Sequence, residues 1–207
     1  MPAPADVFLA SSRTRTIGNF GGAYQDMRAT EVGCIERNET RALKGRDANA
    51  VYEVRMIQWV QTGAGQNPAR QAALKAGFPD SIAALTVNKV CGSSLKAVGL
   101  AANAIRAGEA DIILAGGMES MTNAPYLLPK ARNGYRYGNG TLVDALFHDG
   151  LMDAYSEVAM GETGEVVAEE FHITRAAADV FAAESQRTAA HATSAGWFKD
   201  EIVAVHV

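Results

Sequence analysis

The chain has 207 residues, 48% apolar and 20% charged, the balance of a folded globular protein rather than a disordered or fibrous one. Its net charge of -4 comes without a lysine- or arginine-rich run, which argues against nucleic acid or an anionic membrane surface as its main partner. Two cysteines, Cys34 and Cys91, make neither a disulfide framework nor a zinc set, and they fit a reducing cytoplasm.

The N-terminal run MPAPADVFLASSRTR lacks a basic start followed by an apolar stretch, so no secretory leader is expected. The longest mostly apolar run, Ala97 to Ile105, is broken by Gly99 and Asn103 and falls short of the roughly 20 residues of a membrane span. From Cys34 to Val60 charged and polar residues such as Arg37, Glu39, Arg41, Lys44 and Asp47 leave little amphipathic pattern, and no element is assigned. Gly63 to Gln71 reads as a glycine loop entering a helix, with Asn67 as N-cap and Pro68 in the first turn.

A strand, a helix and a second strand follow. Ile82 to Val87 is a short buried strand, and Asn88 to Ser93 is the turn after it. From Ser94 to Ala107 the apolar positions Leu95, Val98, Ala102 and Ile105 recur at helical spacing, with Gly108 as the stop. Ile112 to Ala115 is a second buried strand ending at Gly116 and Gly117, which predicts a crossover in a largely parallel sheet. Ala97, Gly99, Ala101, Ala102, Ala104 and Ala107 make this helix small-surfaced nearly all round, so a single sheet layer would not enclose it. Met118 to Gly140 reads as long loop structure, Thr174 as the cap of a helix from Arg175 to about Thr193 with Gly196 as its stop, and Glu201 to Val207 as a strand.

Cys91 is the residue with chemistry to offer. A sulfur where a buried strand gives way to a helix lies beside the helix's unpaired N–H groups and positive dipole end, which favour the nucleophilic thiolate. Gly92 leaves room for a substrate, and turn N–H groups are candidates to hold an oxyanion. Spacing alone leaves open the plainer reading of an inert buried cysteine between Val90 and Leu95.

The segment Asn88 to Val98 (NKVCGSSLKAV) resembles the nucleophile motif of the thiolases. GQNPARQAAL (Gly65 to Leu74), AGGMESMTNAPYLLP (Ala115 to Pro129), DGLMDA (Asp149 to Ala154), MGETGE (Met160 to Glu165) and FKDEIV (Phe198 to Val203) resemble thiolase segments too, in order and at thiolase spacings. The resemblance implies an α/β fold with a mixed, largely parallel sheet and packed helices. Residues 1–118 would form a partial N-terminal core and 119–207 the start of a loop-rich domain that binds coenzyme A. Cys91 would be the nucleophile that takes an acyl group, acetyl by motif style, from a coenzyme A thioester, with its own N–H in the oxyanion hole. Leu151 and Met160 would line the pantetheine path, Met118, Glu119 and Met121 would pack around the active-site floor, and Gly63 to Gln71 would lie near a dimer contact. Acyl-CoA and coenzyme A are the implied partners, in a cytoplasmic homodimer or homotetramer of fatty acid metabolism with no metal or further cofactor. Cys34 would be structural or incidental, and His148, His172, His191 and His206 would be surface or loop residues.

The sequence also departs from the pattern. Ala159 stands where the family usually carries histidine before the methionine of the MG segment, and the usual RTPIG start appears as Arg13 to Gly18 (RTRTIG), without its proline. Residues 34–60 keep the expected length but lose the pattern, as compensating reading-frame errors would produce. The histidine and second cysteine of the family's other half have no counterpart among these 207 residues, so a truncated chain is expected. A second reading follows from that: a thiolase-like acyl-CoA-binding protein or partner subunit without catalysis. A cysteine hydrolase is a distant third, for want of a histidine with a pairing motif.

Overall fold

The computed structural model describes residues 6–34, 48–205 and 207. The first five residues, part of the pattern-poor stretch (35–47) and His206 lie outside the described residues. Strand β1 is Thr14–Arg15, and residues 29–34 are the helical segment α1. Then come β2 (Glu53–Ile57), α2 (Pro68–Lys75), β3 (Ala83–Val87), α3 (Ser93–Arg106) and β4 (Ile113–Gly117). The remainder holds β5 (Tyr126–Leu127), β6 (Val143–Asp144), α4 (Met160–Glu170), α5 (Arg175–Ser194) and β7 (Ile202–Val203).

The central layer is a parallel sheet of order β3-β2-β4. Glu53 pairs with Ala83 on one side and Ile113 on the other, and Ile57 with Val87 and Gly117, so the three strands end level. Both strands expected around the crossover are present, but they are not neighbours, because β2 runs between them. No element was expected where β2 lies, and it is the middle strand.

Alternation along β2 assigns the two faces. Val54 and Met56, 1% and 4% exposed, join Ala29, Ala69, Ala72, Ala73, Phe78, Ile82 and Met118 in the hydrophobic core on the α1–α2 side. Arg55 points the other way, pairs with Glu53 and donates from Nη1 to the Leu100 carbonyl of α3 at 2.6 Å. Helices therefore cover both faces, as parallel strands require. On α3 the buried residues Ser93, Ala97, Ala101 and Ala104 form one stripe against the sheet. The opposite face is open: Leu95 is 80% exposed, and a β-carbon on Gly99 would meet nothing within 4 Å.

The predicted caps form. Asn67 Oδ1 accepts from Arg70 N at 3.3 Å, and Thr174 Oγ1 accepts from Ala177 N at 3.2 Å. Gly108 and Gly196 end α3 and α5 with φ of 76° and 75°. The stretch expected as loop from Met118 to Gly140 contains two 3-10 turns and β5, which pairs antiparallel with β6. The expected final strand is shorter than predicted, two residues pairing in parallel with β1. Among the described residues no helix is long and apolar enough to cross a membrane.

Candidate functional site

The link between β3 and α3 is a sharp elbow, and Cys91 stands on it, exposed, one residue before the Gly92 N-cap. Val90 adopts φ 49°, a left-handed conformation that costs a β-branched residue roughly 1–2 kcal/mol. Such strain persists only where neighbours over-determine it. Asn88 and Ser93 do so from the two sides. Asn88 Oδ1 accepts from Val90 N at 3.0 Å, while its Nδ2 donates to the Trp59 carbonyl at 3.0 Å. Ser93, fully buried, accepts from Lys89 N at 2.7 Å and donates to the Val90 carbonyl at 2.5 Å.

The expectation that turn N–H groups hold an oxyanion needs narrowing. The N–H groups of Gly92 and Ser93 already donate to the Lys89 and Val90 carbonyls, both at 3.1 Å. The sheet also approaches α3 closely just below the elbow. A β-carbon on Gly117 would come 2.5 Å from Ser94 Oγ and 2.7 Å from Ile57 Cγ1, so a larger residue there would push the helix start, and Cys91 with it, away from β4.

Leu151 closes a short π-helical turn, Phe147–Leu151, and is 39% exposed. Met160, 52% exposed, is the first residue of α4. The structure brings these two segments together: Met152 pairs antiparallel with Ala159, and Asp153 N donates to the Val158 carbonyl at 2.8 Å. Their tie to the cysteine elbow runs through Trp59. Its indole lies where a β-carbon on Gly150 would fall, and its carbonyl takes the Asn88 amide.

Glu119, just past β4, reaches the same junction. Its carboxylate accepts from Trp59 N (2.9 Å), Val60 N (3.1 Å) and Ser120 N (3.1 Å). Burial, outweighing the opposing pull of those N–H groups, raises its pKa above the ordinary carboxylate value. Sequence reasoning placed Glu119 near the active-site floor but missed Trp59, which belongs to no recognised motif. The signal within reach was Asn88, an amide at the entrance of a strained turn that needs a fixed acceptor.

His148, His172 and His191 are exposed: His148 bonds Asp149 at 2.7 Å, and His191 stacks edge-on with Trp197. Cys34 is half-buried in α1. Among the described residues no three His, Cys, Asp or Glu side chains gather as metal ligands. A cavity of about 210 Å³ between α1 and the loop after β2 is lined by Thr30, Gln58, Ser120 and Asn123 among others, and none of Cys91, Leu151 or Met160 borders it.

Residues 7–207 match the family model described as "Thiolase, N-terminal domain". The chain is 49% identical over 200 residues to the acetyl-CoA acetyltransferase of Cupriavidus necator, covering 97% of this chain and 51% of that protein. It is 47% identical over 200 residues to a probable acetyl-CoA acetyltransferase of Escherichia coli (97% and 51% covered). It is 46% identical over 202 residues to the acetyl-CoA acetyltransferase of Schizosaccharomyces pombe (98% and 51% covered). The chain thus spans about half the length of the curated relatives it matches.

Proposed function

The chain belongs to the thiolase family, and from that premise we propose that it carries the acyl-accepting part of a thiolase-type acyltransferase, with Cys91 as the nucleophile. The observation that carries the reading is the elbow itself: an exposed cysteine at the N-terminal end of α3, on a turn held strained by Asn88 and Ser93. The Cys91 thiolate attacks the carbonyl carbon of an acyl-CoA, acetyl-CoA first among candidates. The thioester's C–S bond breaks, the acyl group stays on sulfur, and coenzyme A leaves as its thiolate. A second acceptor, coenzyme A or an acyl-CoA enolate, then resolves the acyl-cysteine. Leu151 and Met160, on paired segments, supply apolar surface for the pantetheine arm.

Coenzyme A thioesters are substrates here, and the reaction asks for no other cofactor. A cytoplasmic homodimer or homotetramer serving fatty acid metabolism, with neither nucleic acid nor membrane as partner, completes the proposal. Residues 1–118 act as the core that presents Cys91, and 119–207 as the start of the part that holds coenzyme A.

Incubation with acetyl-CoA followed by peptide-resolved mass spectrometry tests this. An added acetyl group on the Cys91 peptide, abolished in Cys91→Ala, is the expected result. An unmodified Cys91 after prolonged incubation refutes the acyl-enzyme step and leaves the non-catalytic acyl-CoA-binding reading, which predicts retention of coenzyme A without an adduct.

A further inference from the structure

Trp59 stands two residues past the end of β2 and is gripped from three directions. Its N–H is held by Glu119, its carbonyl by the Asn88 amide that also fixes Val90, and its indole lies directly on the backbone of Gly150. A β-carbon on Gly150 would meet the six-membered ring at Cζ3, at Cη2 (2.5 Å) and at Cε3 (3.0 Å), so this contact exists only because residue 150 has no side chain. The neighbouring Thr62 hydroxyl donates to Asp149 Oδ2 at 3.2 Å, a second fastening of the same segment to the chain leaving β2. Trp59 is only partly buried and is not part of the hydrophobic core.

We propose that Trp59 is the positioning residue of the site: its indole, seated on Gly150, sets where Leu151 stands relative to Cys91. The inference rests on the reading of Cys91 as the acyl acceptor and Leu151 as pantetheine surface, and it adds the part that fixes their separation. Asn88 ties the elbow to the Trp59 backbone, the ring sets the height of Gly150, and Leu151 is the next residue. A change at the indole–glycine contact therefore alters how a coenzyme A thioester meets the sulfur, while the elbow's own hydrogen bonds stay intact.

The test compares two alkylating agents on the whole chain, with adducts assigned to Cys91 by peptide mass spectrometry. Iodoacetamide reads the sulfur alone; bromoacetyl-CoA reads the sulfur plus the path that delivers it. Gly150→Ala is expected to lower the bromoacetyl-CoA rate, relative to iodoacetamide, by about tenfold, within the range that contacting pairs show in double-mutant cycles. Adding Trp59→Ala to Gly150→Ala should lower the ratio no further than Trp59→Ala does alone, because the β-carbon then has room and the two changes remove one contact. Trp59→Ala alone should lower the ratio too, and Trp59→Phe less than Trp59→Ala. An unchanged ratio in either Gly150→Ala or Trp59→Ala, or losses that simply add in the double variant, overturns the proposal. If the unsubstituted chain shows no saturable preference for bromoacetyl-CoA, the coenzyme A reading fails and takes this inference with it. A clear preference with indifferent variants sinks the inference alone.

Discussion

Residues 48–118 and residues 119–205 are built by different means. In the first, burial organises the chain: β2 lies between two strands and two helices, and Val54, Ala69, Ala73 and Ala97 are at most 1% exposed. In the second, apolar side chains stay in water. Val166 (61%), Phe171 (67%), Val180 (71%), Phe181 (79%) and Trp197 (64%) are exposed, and α5 buries only Ala192. Its helices are ordered by caps, turns and local ion pairs such as Arg175–Asp179. The candidate site draws on both, with the proposed nucleophile Cys91 on the packed layer and the proposed apolar lining, Leu151 and Met160, on segments that pack little. The sulfur's placement should be robust to changes in the second region, and the lining should not be.

The largest expected effect breaks that contrast at its root. Val54→Asp puts an uncompensated carboxylate into the core and should cost about 3–5 kcal/mol, the scale of an unpaired buried charge. Val180→Asp on the exposed face of α5 should stay within about 0.5 kcal/mol, as ordinary surface substitutions do. Urea midpoints of the two variants measure it, and similar shifts would mean that the two regions do not differ as described.

Next in size is Asn88→Ala, which removes both the acceptor for Val90 N and the donor to the Trp59 carbonyl. The turn then keeps only Ser93 against the strain at Val90. Acetylation of Cys91 should slow by about tenfold, the factor that about 1.4 kcal/mol of lost organisation gives in a rate. Single-turnover mass spectrometry gives the rate; one equal to that of the unsubstituted chain would show the elbow to be self-supporting.

What could be read in advance divides along the same line. β3, the elbow, α3 and β4 were legible because their signals are local: a short apolar run, a glycine after the cysteine, helical spacing, a terminal glycine. β2 was not, although it is the centre of the sheet. Arg55 makes EVRMI look like a surface segment, and its neutralising partners are Glu53 on the same face and a carbonyl 45 residues away on α3. α4 was hidden by Gly161 and Gly164, poor helix formers on a helix that buries none of its residues. Cys91, Leu151 and Met160 were reached through motif resemblance. Trp59, which ties two of their segments together, was invisible because a contact between residues 59 and 150 leaves no trace in spacing.

A smaller effect sharpens the junction between the regions. With its pKa raised by burial, the folded state holds the Glu119 proton more tightly than the unfolded chain does. Its contribution to stability is therefore fully present below the ordinary carboxylate pKa and is lost as pH rises through the higher folded value. Glu119→Gln cannot titrate and should remove that decline from the stability-against-pH curve. It also places an amide N–H₂ among N–H donors, which lowers the variant's curve at every pH. Denaturant titrations from acid to neutral pH separate the two, slope from offset; an unaltered slope would clear Glu119 of the titration.

The smallest expected effect tests whether the second region holds together by local devices alone. Thr174 Oγ1 caps α5 through Ala177 N, and Arg175–Asp179 is the adjoining exposed ion pair. Thr174→Ala should cost about 1 kcal/mol, the usual value of an N-cap, and the loss should appear as fraying of the first turn rather than as global unfolding. Amide exchange at Ala177 and its neighbours would speed up, while exchange in β2 stays unchanged, because the core of Val54 and Met56 has no share in that cap. If exchange in β2 rose together with that at Ala177, the helix would be coupled to the sheet far more tightly than its exposed apolar face implies.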